Sequence, residues 1–144
     1  MDIRPLTETY AVSPQIHPAD LAAVKAAGYA MVIDNRPDAE IPEDLQADRM
    51  RRAAAALGLE FVANPVIGGA LTEANVTAQA AALTAAKGPV LAYCASGNRS
   101  SMVWALANAG RKSSDELIAL PARYGYNLEH LRAKLDLMAK RGQG

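Results

Sequence analysis

The sequence is poor in cysteine and in long hydrophobic runs. Cys94 is the only cysteine among the 144 residues, so no disulfide can form within the chain and a reducing compartment is favoured. The longest apolar runs, such as 53–57, are far shorter than the roughly 20 residues that a membrane-spanning helix needs. The first residues carry no signal-peptide pattern. We therefore expect a cytoplasmic protein that does not bind a membrane.

The sequence also lacks an excess of charge of either sign. Fifteen lysine and arginine residues balance fifteen aspartate and glutamate residues, which gives no electrostatic reason to expect a nucleic-acid partner. Apolar residues make up 51% of the chain and charged residues 21%, as in a globular protein with a packed core. No repeat or linker divides the sequence, so residues 1–144 are interpreted as a single domain.

Short apolar segments alternate with longer helical ones along the chain, which is typical of parallel βαβ units. The predicted strands are 30–34, 60–63 and 89–93, with one or two short extended pieces within 6–12. The predicted helices lie at about 17–27, 43–57, 72–87, 99–109, 113–120 and 127–140. The fold class is therefore α/β, and the strand at 89–93 is expected to be central.

The central strand is predicted to run straight into Cys94, followed by a short loop of small residues and then by Arg99 at a helix start. Ligands of open α/β sheets bind outside the carboxyl ends of the strands, where this loop would lie. Backbone N–H groups of such a loop and of the first helical turn form a cradle for an anion. Gly97 allows the sharp turn, and Arg99 can bind two anion oxygens at once.

The same environment favours the thiolate form of Cys94, which is the nucleophilic form. We therefore predict Cys94 and Arg99 as catalytic residues. The predicted substrate-binding residues are those of the loop and of the helix start: Ala95, Ser96, Gly97, Asn98 and Ser100. Ser100 could donate a hydrogen bond to the thiolate or to a bound group, or it could simply cap the helix. The alternative for Cys94 is an inert, buried small side chain.

Segment 93–100, Tyr-Cys-Ala-Ser-Gly-Asn-Arg-Ser, resembles the active-site loop that cysteine phosphatases and rhodanese sulfurtransferases share in outline. Over roughly residues 6–137 the chain resembles the phosphatase-like domain family of beta-lactamase hydrolase-like proteins. The other supporting segments are 32–38, 64–66, 88–93 and 124–128. The resemblance implies a fold like that of dual-specificity phosphatases, with a short, mostly parallel sheet flanked by helices. Family members usually carry an arginine directly after the cysteine, where this chain has Ala95.

Three features separate a phosphatase from a sulfurtransferase. Four residues lie between Cys94 and Arg99, which is the rhodanese-like spacing, whereas the cysteine phosphatases that the fold resembles use five. Tyr93 replaces the histidine that normally precedes a phosphatase cysteine. The loop at 64–71 contains no aspartate, although a phosphatase needs a general acid to protonate its alkoxide leaving group. Sulfur transfer expels sulfite or a thiolate, which leaves without a proton.

The sequence therefore predicts a rhodanese-like sulfurtransferase. Sulfane sulfur from thiosulfate or a low-molecular-weight persulfide would pass through a Cys94 persulfide to an acceptor thiol. The resemblance also implies a role in sulfide metabolism, with a sulfide-oxidation enzyme as a possible partner. No cofactor is expected, because the sequence has no P-loop lysine or dinucleotide fingerprint, and its two histidines and one cysteine are not spaced as metal ligands.

Two alternatives remain open at this stage. The first is a cysteine-dependent phosphatase that works through a phosphocysteine, with Asp34, Asp38 or Glu40 supplying the acid. The pattern favours turn-forming, solvated surface residues for these three over that role. The second is a non-catalytic module that holds an anion or becomes persulfidated as a signal. A Cys94 that is buried and unreactive toward iodoacetamide at neutral pH would favour that module over either enzyme.

Overall fold

The computed structural model describes residues 1–143 and contains one five-stranded sheet with the strand order β1-β2-β5-β3-β4. The strands are β1 (Arg4–Pro5), β2 (Tyr10–Ser13), β3 (Met31–Asp34), β4 (Glu60–Ala63) and β5 (Val90–Tyr93). Neighbouring strands from β2 to β4 are parallel, and only β1 is antiparallel to its neighbour. The predicted mostly parallel sheet with a central strand at 89–93 is confirmed.

In the described part of the chain, six α-helices cover the two faces of the sheet. They are α1 (Leu21–Ala26), α2 (Ala47–Ala56), α3 (Glu73–Ala85), α4 (Asn98–Ala107), α5 (Ser114–Ala122) and α6 (Arg132–Gln143). No helix within residues 1–143 has both the length and the hydrophobicity needed to cross a bilayer.

The central strand β5 shows why the core forms on both sides of the sheet. All four of its residues are buried, as expected for a parallel strand covered by helices on both faces. Successive side chains point to opposite faces, so Leu91 and Tyr93 belong to the cluster beneath α1 and α2. Val90 and Ala92 belong to the other cluster, beneath α3 to α6.

Three predicted helices differ at their starts because short 3-10 turns precede them. The predicted helix at 17–27 opens with such a turn at Pro18–Asp20, before α1. The predicted helix at 43–57 opens with one at Glu43–Leu45, and Gln46 is then extended, so α2 begins only at Ala47. The predicted helix at 127–140 opens with one at Glu129–Leu131 before α6.

Candidate active site

Three parallel strands end together at the edge of the sheet that carries the candidate site. Tyr93 at the end of β5 pairs with Ser13 of β2 on one side and with Asp34 of β3 on the other. Cys94 follows directly, and α4 begins four residues later at Asn98. The chain therefore turns from the central strand into a helix N-terminus within residues 94–97, which is the arrangement that the sequence predicts.

The Cys94 sulfur accepts a hydrogen bond from a backbone N–H of its own loop. The amide nitrogen of Gly97 lies 3.1 Å from Sγ. Gly97 has φ +99°, a backbone conformation that residues other than glycine rarely adopt. A Cβ at this position would lie 2.2 Å from the Tyr126 hydroxyl. The Ser101 hydroxyl donates to the carbonyl of Gly97 at 2.8 Å, which fixes the turn from the helix side.

Arg99 is held in place by a carboxylate that lies 59 residues away in sequence. Its Nη1 and Nη2 each donate to one oxygen of Glu40 at 2.8 Å, and Nη1 also donates to the carbonyl of Val66 at 2.8 Å. A guanidinium has five N–H donors, so these contacts leave Nε–H and one Nη2 proton. Those two donors share the other edge of the plane, and such an edge can bind an anion with two parallel bonds.

The electrostatics of Arg99 and Glu40 reflect this pairing. The hydrogen bond from Arg99 holds the pKa of Glu40 below its ordinary value, with a smaller contribution from Arg36. Glu40 raises the pKa of the Arg99 guanidinium, and the neighbouring Cys94 adds to that effect. Arg99 is therefore a permanent cation beside the sulfur, and Glu40 sets its orientation.

The sulfur is fully covered, whereas two residues of its loop are exposed. Cys94 has 0% exposed surface, and the Arg99 side chain is 13% exposed. Ala95 and Ser96 lie at the surface of the loop. Because Arg99 is held against the site and does not extend into solvent, the buried sulfur faces a cation and a backbone N–H. Only a substrate atom that enters the loop can reach the sulfur.

The other predicted binding residues are placed as follows. Asn98 is half-buried at the start of α4, and its N–H donates to the Ser96 hydroxyl at 3.2 Å. Ser100 is fully buried, and its hydroxyl donates to Oδ1 of Asn35 at 2.9 Å. A serine hydroxyl has one proton, so the expected donation from Ser100 to the thiolate is not seen. Ser100 instead ties α4 to the end of β3.

A buried network of polar side chains lies behind the loop. Asn35 donates to the carbonyl of Asn64 and to Oε1 of Gln79, at 2.9 and 3.0 Å. Gln79 donates to the Tyr10 hydroxyl at 3.0 Å, which in turn donates to the Ser100 carbonyl at 2.9 Å. Such a network, with its polar groups satisfied, holds the surrounding strand ends in one arrangement. Sequence reasoning missed it, although a glutamine in the alanine-rich segment 78–82 was a signal.

The three acidic residues considered for the phosphatase alternative occupy different environments. Glu40 binds Arg36 and Arg99, and Oδ1 of Asp38 accepts the N–H of Ala47 at 2.9 Å. Asp34 is buried: its Oδ1 accepts the N–H of Arg36 at 2.8 Å, and its Oδ2 has no hydrogen-bond partner among residues 1–143. Burial raises the pKa of Asp34 to about 6.

A cavity of about 330 Å³ adjoins this edge of the sheet and is bordered by Asp34, Pro65 and Ile67. Pro65 and Ile67 flank Val66, whose carbonyl binds Arg99, so the cavity lies next to the arginine anchor. Within residues 1–143, no three His, Cys, Asp or Glu side chains are grouped as metal ligands.

The fold is that of the cysteine phosphatases of the dual-specificity type: a mostly parallel sheet whose central strand ends in a cysteine, followed by a backbone cradle and an arginine. The chain belongs to the family described as "Beta-lactamase hydrolase-like protein, phosphatase-like domain", whose model matches residues 2–111. The Beta-lactamase hydrolase-like protein of Xylella fastidiosa strain Temecula1 is 35% identical over 130 residues, or 89% of this chain. The alignment covers 30% of that protein, so the chain spans less than a third of its length.

Solved structures show the same fold. A candidate phosphatase from Neisseria meningitidis Z2491 superposes with a TM-score of 0.80 at 31% identity, covering 96% of this chain and 99% of the other. P. aeruginosa TpbA, solved in complex with pTyr, superposes with a TM-score of 0.67 at 16% identity, covering 96% and 88%. The likeness to TpbA concerns the fold alone. The names of these proteins are hydrolase and phosphatase names, and none of them is a sulfurtransferase name.

Proposed function

We propose that the chain is a sulfurtransferase that carries sulfane sulfur on Cys94. The observation that carries this proposal is the small cradle, in which four residues separate Cys94 from Arg99 and the N–H of Gly97 points at the sulfur from 3.1 Å. A ring of this size fits the single outer sulfur of a persulfide better than a phosphoryl group with three oxygens.

With thiosulfate as the donor, the Cys94 thiolate attacks the outer sulfur and forms a new S–S bond. The sulfur–sulfur bond of thiosulfate breaks, and sulfite leaves with the electron pair. The thiolate of an acceptor then attacks the outer sulfur of the Cys94 persulfide, and Cys94 leaves as a thiolate. Each step is a thiol–disulfide type exchange, so no external oxidant and no acid are needed.

The residues around the sulfur suit these steps. The free edge of Arg99 can bind the sulfonate oxygens of thiosulfate, and afterwards it can stabilise the negative charge on the outer sulfur of the persulfide. The loop after β4 at 64–71 has no carboxylic acid, which is no obstacle to sulfite departure. A sulfide-oxidation enzyme that supplies the donor or consumes the product stays a prediction.

Phosphatase activity is the second candidate, and two observations favour it. The family name and the Neisseria meningitidis structure, at 31% identity, point to phosphoester hydrolysis. Asp34 also has a buried oxygen without a partner and a pKa raised by burial to about 6, as suits a general acid. In this reaction Cys94 would attack phosphorus, the alkoxide would leave with a proton from Asp34, and water would hydrolyse the phosphocysteine.

A paired steady-state assay separates the two candidates. Thiocyanate release from thiosulfate and cyanide is measured beside phosphate release from p-nitrophenyl phosphate, with Cys94→Ser as the inactive control for both. We expect sulfur transfer that disappears in Cys94→Ser and phosphate release no faster than in that variant. Phosphate release that depends on Cys94, without sulfur transfer, would replace the proposal by the second candidate.

A further inference from the structure

Arg4 and Tyr126 lie outside the loop, yet they are connected to the Cys94 sulfur by three hydrogen bonds and the peptide unit between Ser96 and Gly97. Nη1 of Arg4 donates to the Tyr126 hydroxyl at 2.5 Å, and that hydroxyl donates to the Ser96 carbonyl at 2.7 Å. The next N–H in the chain, that of Gly97, donates to Sγ at 3.1 Å. Arg4 also packs over the Tyr126 ring, 5.6 Å from its centroid.

The direction of every bond in this series is determined. Arginine can only donate and a carbonyl can only accept, so the hydroxyl proton of Tyr126 must point at Ser96. Burial raises the pKa of Tyr126, which keeps that proton in place. The Ser96 carbonyl and the Gly97 N–H belong to one planar trans peptide unit and point in opposite directions. The hydroxyl that holds the carbonyl therefore aims the N–H at the sulfur.

We propose that Arg4 and Tyr126 form a positioning pair that transmits the Arg4 charge to the Cys94 thiolate through the peptide unit between Ser96 and Gly97. Hydrogen bonds in series polarise one another, so a cation at the far end makes the Gly97 N–H a stronger donor to negative sulfur. The inference rests on the proposed function in one respect, that Cys94 reacts as a thiolate, and it holds for either candidate reaction.

Asp2 gives this pair a feature that a purely structural role lacks. Its carboxylate binds Arg4 through Nε at 3.0 Å and through Nη2 at 2.5 Å, and its side chain is 59% exposed. Asp2 thus offsets part of the Arg4 charge. Removing the Asp2 charge and removing the Arg4 charge should therefore shift the half-titration pH of the Cys94 thiolate absorbance in opposite directions. The other charged or titratable groups near the sulfur, Arg99 with Glu40 behind it and Tyr10, stay unchanged in these variants.

The test is a pH titration of thiolate absorbance in the full chain without any substrate, in the range below tyrosine ionisation. Cys94 is the only cysteine, so subtraction of the Cys94→Ser curve isolates its signal, and the measurement does not require access to the buried sulfur. The variants are Tyr126→Phe, Arg4→Gln and Asp2→Asn. The matched control is Tyr124→Phe, which removes a hydroxyl that donates to the Pro5 carbonyl at 2.8 Å, away from the loop.

We expect the half-titration pH to rise by roughly 0.5 unit in Tyr126→Phe and Arg4→Gln. It should fall slightly in Asp2→Asn and stay unchanged in Tyr124→Phe. The proposal is overturned if Tyr126→Phe titrates like Tyr124→Phe, or if Arg4→Gln and Asp2→Asn shift in the same direction. Should Tyr126→Phe not fold, Arg4→Gln and Asp2→Asn decide by the sign of their shifts. Failure of sulfur transfer with the expected titration shifts would refute the proposed reaction and leave this inference standing.

Discussion

Asp34→Asn should stabilise the protein at neutral pH, although Asp34 lies beside the candidate site. Its folded pKa of about 6 exceeds the ordinary value of 3.8 because the carboxyl is buried. The folded chain therefore binds more protons than the unfolded chain between those two values. The free energy of unfolding contributed by Asp34 falls as pH rises through that window, and the loss is complete above pH 6.

The size of the effect follows from the shift. A difference of about 2.2 pH units corresponds to about 3 kcal/mol at 1.36 kcal/mol per unit, as an upper limit. Asparagine keeps the oxygen that accepts the Arg36 N–H at 2.8 Å. Its amide N–H₂ replaces the oxygen that has no partner and lies near the buried Tyr93 hydroxyl, which also lacks one and can accept. The charge that burial disfavours is removed, and the hydrogen bond from the Arg36 N–H is kept.

Urea denaturation of the wild type and Asp34→Asn at a series of pH values from 4 to 8 measures this effect. Asp44→Asn, at an exposed position of the neighbouring segment, is the control and should follow the wild type. We expect Asp34→Asn to be more stable above pH 6 and to lack the fall in stability between pH 4 and 6. An Asp34→Asn variant that is less stable at pH 7, or whose stability follows the wild-type pH dependence, would refute the reasoning.

Three further predictions concern the loop and its anchor. Gly97→Ala should lower the free energy of unfolding by about 1–3 kcal/mol in thermal or urea denaturation, because the backbone has φ +99° and Tyr126 blocks the added Cβ; a neutral effect would contradict the geometry. Arg99→Lys should reduce turnover about 100-fold in steady-state kinetics, since lysine cannot bind two oxygens in parallel. Ser96→Ala should have little effect. Equal, small losses in the two variants would argue against the two-oxygen contact. Glu40→Gln should lower the free energy of unfolding by about 1 kcal/mol at pH 7 after allowance for solvent screening. Because Arg99 lowers the Glu40 pKa, that difference should vanish in denaturation experiments as pH falls through the folded pKa, and a difference that persists there would contradict it.

The sequence was sufficient for features that depend on local pattern. The four buried residues of β5 are a continuous apolar run, and Gly97 with Arg99 marked the turn into α4. Helix starts were less predictable, because the 3-10 turn at Glu43–Leu45 has the same composition as a first helical turn. The helix begins at Ala47 and not at Glu43 because the backbone of Gln46 is extended. No side chain in the sequence indicates that conformation.

The parts of the site that were missed all depend on contacts distant in sequence. Glu40 orients Arg99 from 59 residues away, and Tyr126 holds Ser96 from 30 residues away. Nothing local to Glu40 or Tyr126 indicates these contacts, since both follow from how the loops meet at one sheet edge. Ser100 illustrates the opposite error: its position suggested a donor to the sulfur, but packing turned its hydroxyl toward Asn35.

The central claim is that Cys94 is a reactive sulfur that accepts sulfane sulfur within its loop. Intact-protein mass spectrometry after incubation with thiosulfate, and again after addition of an acceptor thiol, tests it most directly. We expect the mass to rise by one sulfur atom, to return to its starting value with the acceptor, and to stay constant throughout in Cys94→Ser. A wild-type chain whose mass never changes, or one that gains a phosphoryl group from a phosphate ester and no sulfur from thiosulfate, would contradict the account.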